Sequence, residues 1–235
     1  MLTKDGAKKR RVTLIHNETA GDANHSRSGI VKLIENAGCR VTAVSSKDGD
    51  LDRVLDQPAD LVVVAGGDGT INKIACKAKP DGPPLTILPL GIANNIGTTL
   101  GSSGSLEALV GAWNTTKSHP FYRLLVEGPW GCACVLEGIG FGTIEQAIDE
   151  VERSEPSLRQ AQKWIARSIL TSTPEKLEVS FGSETLSGCF ALLELTNIPL
   201  IGPRLHLAPA ADPSQNLVHL AFLEDGEEKR RQFSK

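Results

Sequence analysis

The stretch Leu61-Val62-Val63-Val64-Ala65-Gly66-Gly67-Asp68-Gly69-Thr70-Ile71-Asn72 decides the fold. Its opening run is aliphatic with no polar partner, the pattern of a strand buried on both faces of a parallel sheet. Gly66, Gly67 and Gly69 follow, and then Ile71, Ile74 and Ala75 recur at helical spacing, so the glycines stand at a strand-to-helix turn. Glycine permits positive φ and lets a ligand approach the backbone where a Cβ would clash. The N–H groups of the next helix point at such a ligand, and the helix dipole favours a negative charge there. Asp68 is the odd member, because an anion beside a phosphate site is unfavourable unless a cation lies between them. Two readings follow. Either Asp68 holds Mg²⁺, directly or through water, while the backbone holds phosphate, or the stretch is a tight turn in which Asp68 caps the helix.

A second glycine turn stands downstream. Leu85 to Leu90 reads as a strand, Gly91 as the turn, and Asn94-Asn95 as the start of a further helix. Upstream, Arg11-Val12-Thr13-Leu14-Ile15 is a strand ending at His16-Asn17-Glu18-Thr19-Ala20-Gly21. An amphipathic helix follows, with Ile30, Leu33, Ile34 and Ala37 inward and Gly38 ending it. Cys39 to Ser45 is a strand and Asp50 to Leu55 a short helix. Strands alternating with helices predict a parallel α/β domain over residues 1–120, with ligands at the carboxyl ends of its strands.

Beyond Phe121 the pattern changes to a β-rich domain over residues 121–235. Strands are predicted at Phe121–Glu127 and Cys132–Glu137 around a Gly128-Pro129-Trp130-Gly131 turn. Further strands are predicted at Leu177–Phe181, Cys189–Thr196, Leu205–Leu207 and Leu217–Leu223. A helical excursion is predicted over Ile144–Val151 and Ser157–Leu170, split around Pro156.

The net charge of −3 is spread over interspersed acids and bases, which argues against a nucleic-acid surface. The one basic cluster, Lys8-Lys9-Arg10-Arg11, reads as a solvated tail, with contact to anionic lipid as the lesser reading. Five dispersed cysteines (Cys39, Cys76, Cys132, Cys134, Cys189) show no zinc spacing and read as reduced core residues of a cytosolic protein. No apolar run is long enough to span a bilayer, and no signal peptide is apparent. His16 could face a ligand from its strand end, although a surface or packed role is the stronger reading.

Gly66 to Asn72, followed by Pro89-Leu90-Gly91-Ile92-Ala93-Asn94-Asn95, resembles the diacylglycerol kinase catalytic-domain family, which includes bacterial lipid kinases and sphingosine kinases. The resemblance runs from about Val12 to the end of the chain. It implies a parallel-sheet α/β domain followed by an antiparallel β sandwich, here without its last strands. It implies transfer of the γ-phosphoryl group of ATP to a lipid hydroxyl, of diacylglycerol or a related lipid, with Mg²⁺ as the metal. A lipid acceptor places the protein peripherally at a membrane surface, and a homodimer is compatible with the family.

Residue by residue, the resemblance implies nucleotide contacts at Gly66, Gly67, Asp68, Gly69, Thr70, Asn72, Gly91 and Asn94, with Asp68 at the metal. Asn17 to Gly21 is similar to the family's Asn-Pro-x-x-Gly nucleotide loop, with Glu18 in place of proline, and Ser45 matches a position that is usually threonine. For Asn17 and Ser45 the other reading is that they satisfy loop backbone. Gly138-Ile139-Gly140-Phe141-Gly142 resembles a glycine-rich entry to the helical excursion, and Ala208 to Asp212 a family turn. Asp225-Gly226-Glu227 carries the letters of the motif whose aspartate is the catalytic base, but it follows the Leu217–Leu223 strand directly, so a hairpin turn is the competing reading.

Three departures stand out. Lys73 replaces a glutamate and is placed to pair with Asp68. Asn95 replaces an aspartate of the acidic network behind Mg²⁺. A further aspartate is missing from Phe121-Tyr122-Arg123-Leu124. These departures keep open a second reading, a catalytically impaired nucleotide-binding or interaction member, and predict weak Mg²⁺ binding without nucleotide. The NAD-kinase fold shares the Gly-Gly-Asp-Gly turn, and the Pro89–Asn95 motif favours lipid kinases over it.

Overall fold

The computed structural model describes residues 9–20, 25–144, 147 and 157–234. The chain divides into two compact units, Met1–Pro120 and Phe121–Lys235.

The first unit is built on a four-stranded parallel sheet. In chain order its strands are β1 (Arg11–His16), β2 (Arg40–Ser45), β3 (Leu61–Gly66) and β4 (Leu85–Pro89). In space the order is β2-β1-β3-β4, with Ile15 opposite Val64 and Val64 opposite Ile87. Every residue of β3 is buried, as its unbroken aliphatic run requires for a central strand covered on both faces. Helix α1 (Arg27–Asn36) lays Ile30 and Ile34 against Val12, Leu14 and Val63. Ser26 caps it by accepting from Gly29 N, and Gly38 terminates it at φ 86°. Full burial of side chains such as Ile34 contributes about 1.5–3 kcal/mol each. The short helix α2 (Leu51–Leu55) is capped by Asp50. Helix α3 (Asp68–Lys77) leaves β3 directly, α4 (Asn95–Thr99) follows β4, and α5 (Leu106–Ala112) buries Val110 in the α1 core.

The second unit centres on the long strand β9 (Glu184–Thr196), which pairs antiparallel with three partners. These are β7 (Gly138–Gly142), β8 (Glu175–Phe181) and β12 (His219–Glu224). Strands β5 (Leu124–Gly128) and β6 (Gly131–Val135) form a separate hairpin, and β10 (Leu200–Ile201) pairs with β11 (Leu205–His206). Helix α6 (Leu158–Thr171) buries Ala161, Ile165 and Ile169, the last two beside Ile144, Leu192 and Ile201. It starts at Ser157, whose N–H donates to Gln160 Oε1 at 3.0 Å. Helix α7 (Glu227–Phe233) ends the described chain.

Two expectations are corrected here, and one strand is added. Gly138–Gly142, expected as a glycine-rich entry to the helical excursion, is itself a strand. A Cβ on Gly138 would stand 2.5 Å from Leu195 O, and one on Gly140 would overlap the Glu194 carboxylate, so these glycines allow β7 to lie close against β9. The segment after Asp225 is a helix and not the second arm of a hairpin; Gly226 makes the turn at φ 158°. Cys76 and Cys134 are disulfide-bonded and not reduced, and among the free thiols Cys39 is buried but Cys132 and Cys189 are exposed, so the expectation of a reduced core residue holds for Cys39 alone. Most of the predicted Ile144–Val151 helix lies outside the described residues. Among the described residues no helix is long and apolar enough to cross a membrane.

Candidate functional site

The carboxyl ends of the four parallel strands gather most of the predicted site residues. Asn17, just past β1, donates its N–H to Ala65 O at 2.9 Å. Its side-chain Nδ2 donates to Thr70 Oγ1 at 2.9 Å, while its Oδ1 accepts from Thr19 N and Thr19 Oγ1. One asparagine therefore ties the loop after β1 to the first turn of α3. Thr19 was not singled out in the sequence, although an asparagine followed two residues later by threonine is an Asx-turn signal.

The two glycine turns interlock. Leu90 N donates to Gly66 O at 2.9 Å. A Cβ on Gly91 would stand 2.8 Å from Gly67 Cα and 2.9 Å from Asn94 Oδ1, and one on Gly66 would stand 2.8 Å from Thr70 Cβ. Neither Gly66, Gly67, Gly69 nor Gly91 has a positive φ. Gly67 and Gly91 are thus required for backbone-to-backbone proximity and Gly66 for the room the Thr70 side chain occupies, not for left-handed φ, which corrects the conformational half of the expectation. Gly69 differs from the others, because a Cβ there would meet nothing within 4 Å. The residue in the left-handed region is Asn94, at φ 50° and ψ 46°. Its Oδ1 accepts from Gly91 N at 2.8 Å and its Nδ2 donates to Gly91 O at 2.6 Å, fixing the second turn.

Asp68 resolves its own puzzle. Its carboxylate accepts from Asn95 N and from Ile96 N, both at 3.0 Å. It caps α4, the helix of the other turn, and not its own helix. Its charge is directed into two amides at a helix start, where a negative charge is favourable, so no cation is needed between Asp68 and an approaching phosphate.

Lys73 does not pair with Asp68. Its Nζ donates to Ser46 O at 2.9 Å, and Ser46 N donates to His16 O at 2.8 Å. Ser45, at the end of β2, accepts from Lys47 N through Oγ at 3.3 Å. Asn72 lies one turn into α3. Gly21 lies outside the described residues. His16 is buried, and among the described residues neither ring nitrogen finds a hydrogen-bond partner. Burial holds its imidazolium form down, and the positive charge of Arg27 adds to this.

Asp225 belongs to the second unit. Its Oδ1 pairs with Arg230 Nη2 at 2.8 Å. Arg230 is buried and its Nη1 donates to Ile169 O and Ser172 O at the carboxyl end of α6. Asp225 therefore serves a buried guanidinium that holds α7 against a helix terminus.

Comparison with known proteins agrees with this arrangement at the level of family. Residues 11–122, which carry the sheet and both glycine turns, match the family described as "Diacylglycerol kinase catalytic domain". These residues belong to that family. The chain is 28% identical over 179 residues to the protein of Escherichia fergusonii named "Probable lipid kinase YegS", covering 72% of this chain and 51% of that protein. It is 34% identical over 101 residues to the "Diacylglycerol kinase" of Staphylococcus saprophyticus, covering 39% of this chain and 33% of that protein. The chain thus spans about half the length, or less, of these relatives. A solved structure titled as that of a diacylglycerol kinase from Bacillus anthracis str. Sterne superposes with a TM-score of 0.72 at 17% identity. It covers 97% of this chain and 78% of that one, which establishes a shared fold across both units.

The match of residues 11–122 to a kinase family implies ATP and a divalent metal. The donor set here does not fit a metal held by the protein. Each Asp68 oxygen already accepts an amide of α4, Asn95 and Lys73 stand where the resemblance expects acids, and among the described residues no group of three or more His, Cys, Asp or Glu side chains is placed to hold a metal.

Proposed function

We propose that the chain acts as an ATP-dependent lipid kinase, transferring the γ-phosphoryl group of ATP to the hydroxyl of diacylglycerol or a related lipid. The observation that carries this reading is the interlock of the two glycine turns, Gly67 against Gly91, inside the segment that matches the kinase family. It creates a backbone surface at the strand ends, with open space over Gly69 and an α-helix start beneath it. In this reading the phosphates lie over Gly66 to Thr70, with Asn17, Gly91 and Asn94 holding the surrounding loops in place. Asn17 orients Thr70, and Asp68 keeps the second turn docked while presenting little net charge to the phosphates.

The chain's contribution is positioning, which lowers the barrier by fixing the phosphoryl group relative to its acceptor. Mg²⁺ carried by the nucleotide supplies charge neutralisation when it is bound. Asp225 is not assigned as the base, because its carboxylate is committed to Arg230. Incubation with ATP, Mg²⁺ and a panel of lipid acceptors tests the reading: phosphorylated lipid is expected, with Asp225→Asn retaining the activity. Nucleotide binding without transfer to any lipid would favour the alternative of a non-catalytic nucleotide-binding member, for which Lys73 and Asn95 are the supporting residues.

A further inference from the structure

The bonds around the glycine turns join all four strand ends without a metal. Asn17 Nδ2 donates to Thr70 Oγ1, joining the end of β1 to α3. Lys73 Nζ donates to Ser46 O, joining α3 to the loop after β2, and Ser46 N returns to His16 O on β1. Asp68 accepts from Asn95 N and Ile96 N, joining the β3 turn to the β4 turn. The links from Lys73 and Asp68 are α3 side chains engaging backbone groups of other segments, while Asn17 meets Thr70 side chain to side chain and Ser46 meets His16 backbone to backbone.

From this geometry we infer that Asp68 and Lys73 are the positioning residues of the nucleotide turns, and that the chain takes no Mg²⁺ at these turns in the absence of nucleotide. Divalent cations are bound by several oxygen ligands, and Mg²⁺ sheds its waters reluctantly. Each Asp68 oxygen already accepts one amide of a buried residue, which leaves Asp68 as at most a single carboxylate ligand, and among the described residues no group of three His, Cys, Asp or Glu is placed to complete a site. Lys73 places a fixed positive charge one helical turn farther along α3, where the resemblance expects an acid. An ammonium on Ser46 O performs the fastening that an acidic side chain could perform only through a cation. The inference stands whether or not the chain phosphorylates a lipid, since it concerns the nucleotide-free protein.

The test compares thermal unfolding of the nucleotide-free full chain in millimolar Mg²⁺ and in EDTA, alongside calorimetric titration with Mg²⁺. A resident ion at about a hundredfold excess over its Kd would raise Tm by roughly 5–10 °C in a chain of this size. The expected result is the same Tm in both buffers and no heat of binding. Asp68→Ala is expected to lower Tm equally in Mg²⁺ and in EDTA. A Mg²⁺-dependent rise in the wild-type Tm that Asp68→Ala abolishes would overturn the inference. Should Asp68→Ala not fold, the wild-type comparison alone decides: identical Tm supports a metal-free fastening, and a rise with Mg²⁺ contradicts it.

Discussion

The carboxylate of Asp68, in the first turn of α3, accepts the amides of Asn95 and Ile96, 27 and 28 residues farther along the chain, each at 3.0 Å. Together with the Leu90 N–H donated to Gly66 O, this contact makes the two glycine turns a single structure. It also explains how an acidic residue is tolerated in a turn proposed to hold phosphate. Replacing Asp68 with alanine leaves two amides of buried residues without their acceptor, a loss of about 1–3 kcal/mol. Urea unfolding should show a lower midpoint with an unchanged slope; a variant as stable as wild type would mean that the contact contributes nothing.

The proximity of Gly67 and Gly91 gives a second expectation. A Cβ on Gly91 meets the Gly67 backbone at 2.8 Å, so Gly91→Ala forces two loops apart. Overpacking of this kind costs about 1–3 kcal/mol. Gly69→Ala, in a helix and in open space, should be neutral or raise stability by up to about 1 kcal/mol. Equal effects of the two substitutions would show that the interlock is not what the glycines serve.

Much of this was readable in the sequence, and the exceptions share a cause. The aliphatic run of β3, the glycines after it and the periodic isoleucines of α3 are local signals, and the strand and helix stand where those signals put them. The partner of Asp68 was not readable, because it lies beyond an entire strand and turn. The strand at Gly138–Gly142 was hidden for a similar reason. Glycine normally weakens strands, and only the side chain of Glu194 and the carbonyl of Leu195 on a distant strand make it necessary there. Helix α7 has a charged sequence with little apolar periodicity, and its place is set by Arg230 reaching the end of α6.

That guanidinium supplies a third expectation. Arg230→Ala removes the donor from Ile169 O and Ser172 O and should destabilise the second unit by about 1–3 kcal/mol. Arg230→Met, which keeps the apolar stem, should recover only part of the loss. Full recovery by methionine would show that packing alone holds α7.

His16 predicts a pH dependence. Burial holds its folded-state pKa below the ordinary 6.5, with Arg27 adding to the effect. The unfolded chain therefore binds a proton more readily than the folded one as pH falls through 6.5. The contribution of neutral His16 is fully present above that value and declines below it until the folded-state pKa is reached. Chemical unfolding followed between neutral and mildly acidic pH should show a steeper loss for wild type than for His16→Leu. Parallel profiles would place the titration elsewhere.

The measurement closest to the central claim is nucleotide binding and lipid phosphorylation by Gly69→Val. Gly69 is the glycine of the first turn over which a side chain has room, so this variant should fold with a Tm near that of wild type while its branched side chain stands where the phosphates approach. Loss of ATP binding and of labelled lipid product in a folded Gly69→Val protein is the predicted result. Undiminished ATP affinity and lipid phosphorylation in that variant would contradict a phosphate site on this turn.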